Sequence, residues 1–199
     1  MFLVILMIFD PAGGWTRAAE SARSTARVLL LHLLPLLLLG CVAEGFGMMR
    51  WGKRVSQFGT MKTFTPDETV RYQACQFAVG LAVVCFCAVV LRGLGNTFQR
   101  RQTFTQSLAV SVFGLGPVFL MRVFDAFPAI HPLVPWIIGA ALTMAILYQG
   151  IPRVMRLDPS DALGVYMSSM LVLVLASGIG RVLVIYYLQG KILGLQTPF

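Results

Sequence analysis

The chain has 199 residues, 57% of them hydrophobic and 12% charged, with 16 Lys and Arg against 8 Asp and Glu for a net charge of +8. With a mean hydropathy of +0.79, that balance excludes a soluble globular domain and a disordered chain alike. The basic residues sit between apolar runs, where the anionic surface of a bilayer rather than nucleic acid is the nearest partner.

The opening Met1–Phe9 is apolar but too short to span. It lacks a basic n-region and runs into Asp10-Pro11 instead of a small-residue cleavage site, so it does not read as a signal peptide. Asp10 before Pro11 marks a helix start, because proline at the first helical position loses no hydrogen bond the helix would have made. From Trp15 to Arg27 the chain alternates Ala with Arg, Glu, Ser and Thr. This predicts a short helix at the interface, with Trp15 at headgroup depth and Arg17, Arg23 and Arg27 toward the phosphates of membrane lipids, anionic ones by preference. Residues 1–27 therefore form an N-terminal interfacial segment, and residues 28–199 a five-span membrane domain.

A bilayer core requires ~20 consecutive apolar residues per helix, and runs at 28–48, 73–95, 104–123, 133–151 and 163–188 supply five. The predicted fold class is all-α, a polytopic helical bundle. Pro35 interrupts span one; Pro117, within Gly114-Leu115-Gly116-Pro117, interrupts span three. Either proline kinks its helix as a packing feature, or Pro117 with Gly114 and Gly116 serves as a hinge. The connection from Met49 to Thr65 is the longest and mixes Arg50, Lys53 and Arg54 with Trp51, Phe58 and Phe64, an interfacial composition. Thr65-Pro66-Asp67-Glu68 has the spacing of a capping box and predicts a helix from Pro66 to about Leu94, longer than the bilayer core. Asp158-Pro159 marks the last start. Lys and Arg divide eight against eight between the two faces, so charge alone does not orient the chain.

Ionisable residues inside apolar runs are the sharpest local signal, since a charge in hydrocarbon is costly unless paired or wetted. Glu44 and Arg181 are two. Spans one, three and five run the same way, so Glu44 and Arg181 lie at similar depth, with Arg122 and Asp125 closing span three on that side. These four predict a polar pocket or an ion pair. Ser177-Gly178 and Gly180 suit close helix packing. His32 and His131 are the only histidines, and no zinc, nucleophile-elbow or phosphate-loop motif occurs, so no metal, cofactor or enzymatic activity is expected. Cys85 and Cys87, two apart on a helix, face opposite ways and cannot act as a redox pair. All four cysteines fall within spans, so structural disulfides are not expected.

The chain resembles the Yip domain family, the Ypt/Rab-interacting membrane proteins, and within it the bacterial branch. The likeness rests on Asp10-Pro11-Ala12-Gly13-Gly14-Trp15 before span one, Phe113-Gly114-Leu115-Gly116-Pro117 in span three, Pro135-Trp136, and Leu147-Tyr148-Gln149-Gly150-Ile151-Pro152. The resemblance implies a polytopic helical fold with a cytoplasmic N-terminus and a periplasmic C-terminus in a bacterial inner membrane. It departs from eukaryotic members in lacking the Asp-Leu-Tyr-Gly-Pro motif and in placing Val112-Phe113 where they have Gly-Tyr, so the GTPase partnership does not carry over. The expected role is non-enzymatic, organising membrane or scaffolding membrane partners, with self-association allowed. The alternative is a small channel or transporter using the polar pocket around Glu44 and Arg181.

Overall fold

The computed structural model describes residues 2–21, 24–54, 61–97, 103–155 and 159–188. Arg23 and Asp158 lie outside the described residues, as do Arg100, Arg101, Arg156 and Lys191 from the charge count. Two short helices, α1 (Phe2–Phe9) and α2 (Pro11–Ser21), precede five long apolar segments. Span one comprises α3 (Thr25–Val28), a π-helical turn (Leu29–Leu33) and α4 (Leu34–Arg50). A two-stranded antiparallel ribbon of β1 (Lys53–Arg54) and β2 (Met61–Lys62) leads to α5 (Pro66–Thr97), span two. Span three joins α6 (Phe104–Gly114), α7 (Gly116–Met121) and a 3-10 turn (Arg122–Ala126); α8 (Leu133–Met155) and α9 (Pro159–Leu188) carry spans four and five. The N face is the side where spans one, three and five begin; the C face is where they end.

Two of the expected helix starts, at Asp10 and Thr65, form by the expected chemistry. Asp10 Oδ1 accepts from the Gly13 amide at 3.0 Å. Thr65 and Glu68 cap each other, the Thr65 amide donating to Glu68 Oε2 at 2.9 Å and the Glu68 amide to Thr65 Oγ1 at 3.3 Å. A second capping box, Thr103 with Gln106, opens α6. At 32 residues, α5 measures about 48 Å and overshoots a hydrocarbon core of about 30 Å.

Span three is the axis of the bundle. Its apolar window is 72% buried, against 33% for spans one, two and five and 44% for span four. Leu108, Val110, Val112, Phe113 and Leu115 are all buried there, while Leu30, Phe86, Ile137, Leu171 and Ile179 on the surrounding helices are exposed and meet lipid. Close approach is bought by small residues: a Cβ on Gly47 would fall 2.6 Å from the Ala126 Cα, and one on Gly139 would fall 2.7 Å from the Val118 Cα. Among the described residues all four cysteines are free, with Cys85 exposed and Cys87 buried on opposite sides of α5.

Candidate functional site

Five charged side chains gather inside the C-face half of the bundle, brought by four segments. Glu44, fully buried on α4, forms an ion pair with Lys53 of β1. Gln76 Nε2 of α5 donates to Glu44 Oε2 at 2.5 Å, and the Tyr72 hydroxyl donates to Oε1 at 3.4 Å. Arg181 of α9, 4% exposed, places Nη2 2.7 Å from Asp125 Oδ1 and donates from the same nitrogen to the Pro132 carbonyl at 2.9 Å. Arg122 leaves the same 3-10 turn as Asp125 and packs its Cβ against Gly40.

Of the four residues expected to share a pocket or an ion pair, Arg181 pairs with Asp125, while Glu44 takes Lys53, from outside the four. Lys53 was missed because it belongs to a connection, and only its fold-back brings it into the protein. Gly52 makes that return, with φ of 76° and no room for a side chain against the Lys62 backbone. Lys53 is buried and lies 5.4 Å from the Tyr72 ring centroid. Its ammonium is pulled down to about 7, first by burial, then by the positive charge of Arg181, against the opposing charge of Asp125, with Arg122 adding to the depression. The two ion pairs therefore act as one electrostatic unit.

Two hollows meet at Arg181 and Asp125. The larger, about 640 Å³, lies at the C face and is lined by Lys53, Arg54, Tyr72, His131 and the apolar side chains of Phe127, Ile130, Val182 and Ile185. The smaller, about 20 Å³, points into the bundle between Val79, Gly80, Phe119, Arg122 and Trp136. Toward the N face the described centre is mostly apolar, with Leu36, Val84, Leu91, Leu108, Phe113 and Leu147 buried beside the polar His32, Ser107 and Ser111. Among the described residues no group of His, Cys, Asp and Glu is disposed to hold a metal ion.

A second constellation forms near the N face, where the N-terminal helices fold back on each other and enter the bundle. A Cβ on Gly14 would lie 3.0 Å from the Met7 Cα, so glycine lets α1 and α2 touch. Val4 fills the space in front of Gly116, and Trp15 lies on Gly150. The Trp15 indole donates to the Ile146 carbonyl at 2.9 Å and meets the Phe113 ring edge-on at 6.3 Å. This corrects the expectation for Trp15: it is wholly buried instead of resting among headgroups, because the backbone of α8 offers its N–H a partner that hydrocarbon cannot. Val4, Met7, Trp15 and Ala18 join the same core as the spans. Arg17 and Arg27 are exposed.

At the break in span three, the Thr143 hydroxyl donates to the Gly114 carbonyl at 2.7 Å, satisfying an acceptor where the helix restarts before Pro117. Gly114 abuts Leu147 and Leu173, and Gly116 abuts Val4. The candidate hinge residues are thus enclosed by packed side chains.

The segments that carried the resemblance, Gly13-Gly14-Trp15, Phe113 to Pro117 and Leu147 to Gly150, meet at this N-terminal constellation. No curated protein and no solved structure matches the chain. The Yip1 domain model matches residues 5–180, from within α1 to the last turns of span five. This polytopic helical membrane protein belongs to the Yip1 domain family.

Proposed function

We propose that this protein is a non-enzymatic organiser of the membrane, which shapes the bilayer and scaffolds membrane partners by wedging one leaflet. The observation behind this reading is the docking of α1 and α2 in one half of the bundle. Gly116, the seat of Val4, is midway along span three, and Gly150, the seat of Trp15, is near the end of span four. Eight residues of α1 extend only about 12 Å, too short to cross. The N-face half then carries helix cross-section that the C-face half lacks, and a tapered body favours a curved leaflet. Arg17 and Arg27, exposed beside the hairpin, add attraction to anionic headgroups.

The test is partition of the reconstituted protein between small and large vesicles of one anionic composition. Enrichment in small vesicles that is lost on deleting residues 2–9 is the expected result. Equal partition of both proteins would remove the wedge. The family likeness supports a cytoplasmic N-terminus in a bacterial inner membrane, an orientation in which the wedge would sit in the cytoplasmic leaflet.

Transport is the competing reading, favoured by the cavity beside Arg181. A conducting path needs groups that replace hydration along its whole length, and the cavity ends against apolar core. No sustained flux into liposomes is expected; Glu44-dependent flux would replace the present reading.

A further inference from the structure

We infer that the C-face cavity beside Arg181 is a binding site for a phosphodiester anion, of the size and amphipathic character of a phospholipid headgroup. Three observations lead there. Arg181 is 4% exposed, and its pairing with Asp125 is incomplete: its Nε and Nη1, like both Asp125 carboxylate oxygens, have no hydrogen-bond partner; buried guanidinium donors without acceptors are costly, and phosphate is the anion their planar fork fits. Lys53, Arg54 and Arg181 line the cavity against Asp125 alone. With Glu44 answering Lys53 and Asp125 answering Arg181, Arg54 at the cavity and Arg122 in the adjoining hollow leave an excess of positive charge for an anion. Finally, a volume of about 640 Å³ far exceeds an inorganic phosphate and matches a headgroup with its glycerol. Apolar Phe127, Ile130, Val182 and Ile185 line the same cavity and suit the start of an acyl chain. Tyr72 and His131 add polar groups to the wall. This site lies in the opposite half of the bundle from the N-terminal wedge and stands or falls independently of it.

The experiment uses the full chain purified in a neutral maltoside detergent, titrated separately with phosphatidylglycerol, diacylglycerol of the same chains, and inorganic phosphate. Native mass spectrometry and thermal stability are the readouts. One phosphatidylglycerol should be retained per chain and raise thermal stability, with diacylglycerol doing neither. Arg54→Gln, at an exposed cavity residue, should weaken retention by about tenfold, the scale of one charge-assisted hydrogen bond. The double change Arg181→Gln with Asp125→Asn should abolish it, and Arg92→Gln, at an exposed residue near the far end of α5, should not alter it. Stabilisation by inorganic phosphate without lipid retention would assign the same anion site to a free phosphate. Equal binding of diacylglycerol and phosphatidylglycerol by the unaltered protein would overturn the inference even where a variant fails to fold. So would equal phosphatidylglycerol retention by folded Arg54→Gln and Arg181→Gln/Asp125→Asn proteins.

Discussion

Lys53 and Glu44 form an ion pair inside the bundle, one from a surface ribbon and the other from a membrane-spanning helix. The carboxylate is fully buried and the ammonium nearly so, which makes the pair mutually dependent. Removing one partner of such a pair leaves an uncompensated charge and costs ~3–5 kcal/mol, whereas removing both costs much less. Glu44→Gln and Lys53→Met should each lower thermal stability in detergent by more than the double variant does. Additive losses in that cycle would show that the two side chains act separately.

The pH response of Lys53 has a defined sign. Its ordinary value of 10.5 falls to about 7 in the folded protein, so between these values the unfolded chain binds a proton that the folded chain does not. Stability from this group therefore rises as pH increases from 7 toward 10.5 and is flat below 7. Melting temperature measured from pH 7 to 10 should climb more steeply in the native protein than in Glu44→Gln/Lys53→Met. Parallel profiles would contradict the depressed value.

Two glycines separate packing from helix propensity. A Cβ on Gly47 meets the Ala126 backbone, which cannot move aside without parting span one from span three. Gly47→Ala should destabilise by ~1–3 kcal/mol, the range for overpacking. A Cβ on Gly93 meets nothing within 4 Å, and Gly93→Ala should be neutral or stabilising by up to ~1 kcal/mol. Denaturant unfolding in mixed micelles measures both.

Thr143→Val removes the donor to the Gly114 carbonyl while conserving shape. The expected loss is ~1 kcal/mol, as for other interhelical hydrogen bonds in membranes. An unchanged unfolding midpoint would show that the break in span three does not depend on Thr143.

With the proposed cytoplasmic N-terminus, five spans would put residue 199 outside the cytoplasm. A reporter fused after Phe199 should be active only in the periplasm. Activity in the cytoplasm would reverse the orientation.

Membrane class, span number and helix starts were legible in the chain because each rests on local composition. A helix in hydrocarbon must satisfy its backbone within one segment, so length and apolarity specify it, and Thr65 with Glu68 signs its own cap. Depth was legible as well: alternating direction placed Glu44, Arg122, Asp125 and Arg181 in one half before any contact was known. Pairing was not. Which acid meets which base depends on helix rotation and on a connection folding inward, and a ribbon bringing Lys53 to Glu44 leaves only Gly52 as its trace. Trp15 carries the same lesson, since an indole beside arginines suits the interface until Gly150 and the Ile146 carbonyl supply a buried seat 131 residues away in sequence. Local hydropathy thus determined what crosses the membrane, while tertiary packing alone decided which polar groups meet within it, because those contacts join residues that no local pattern links.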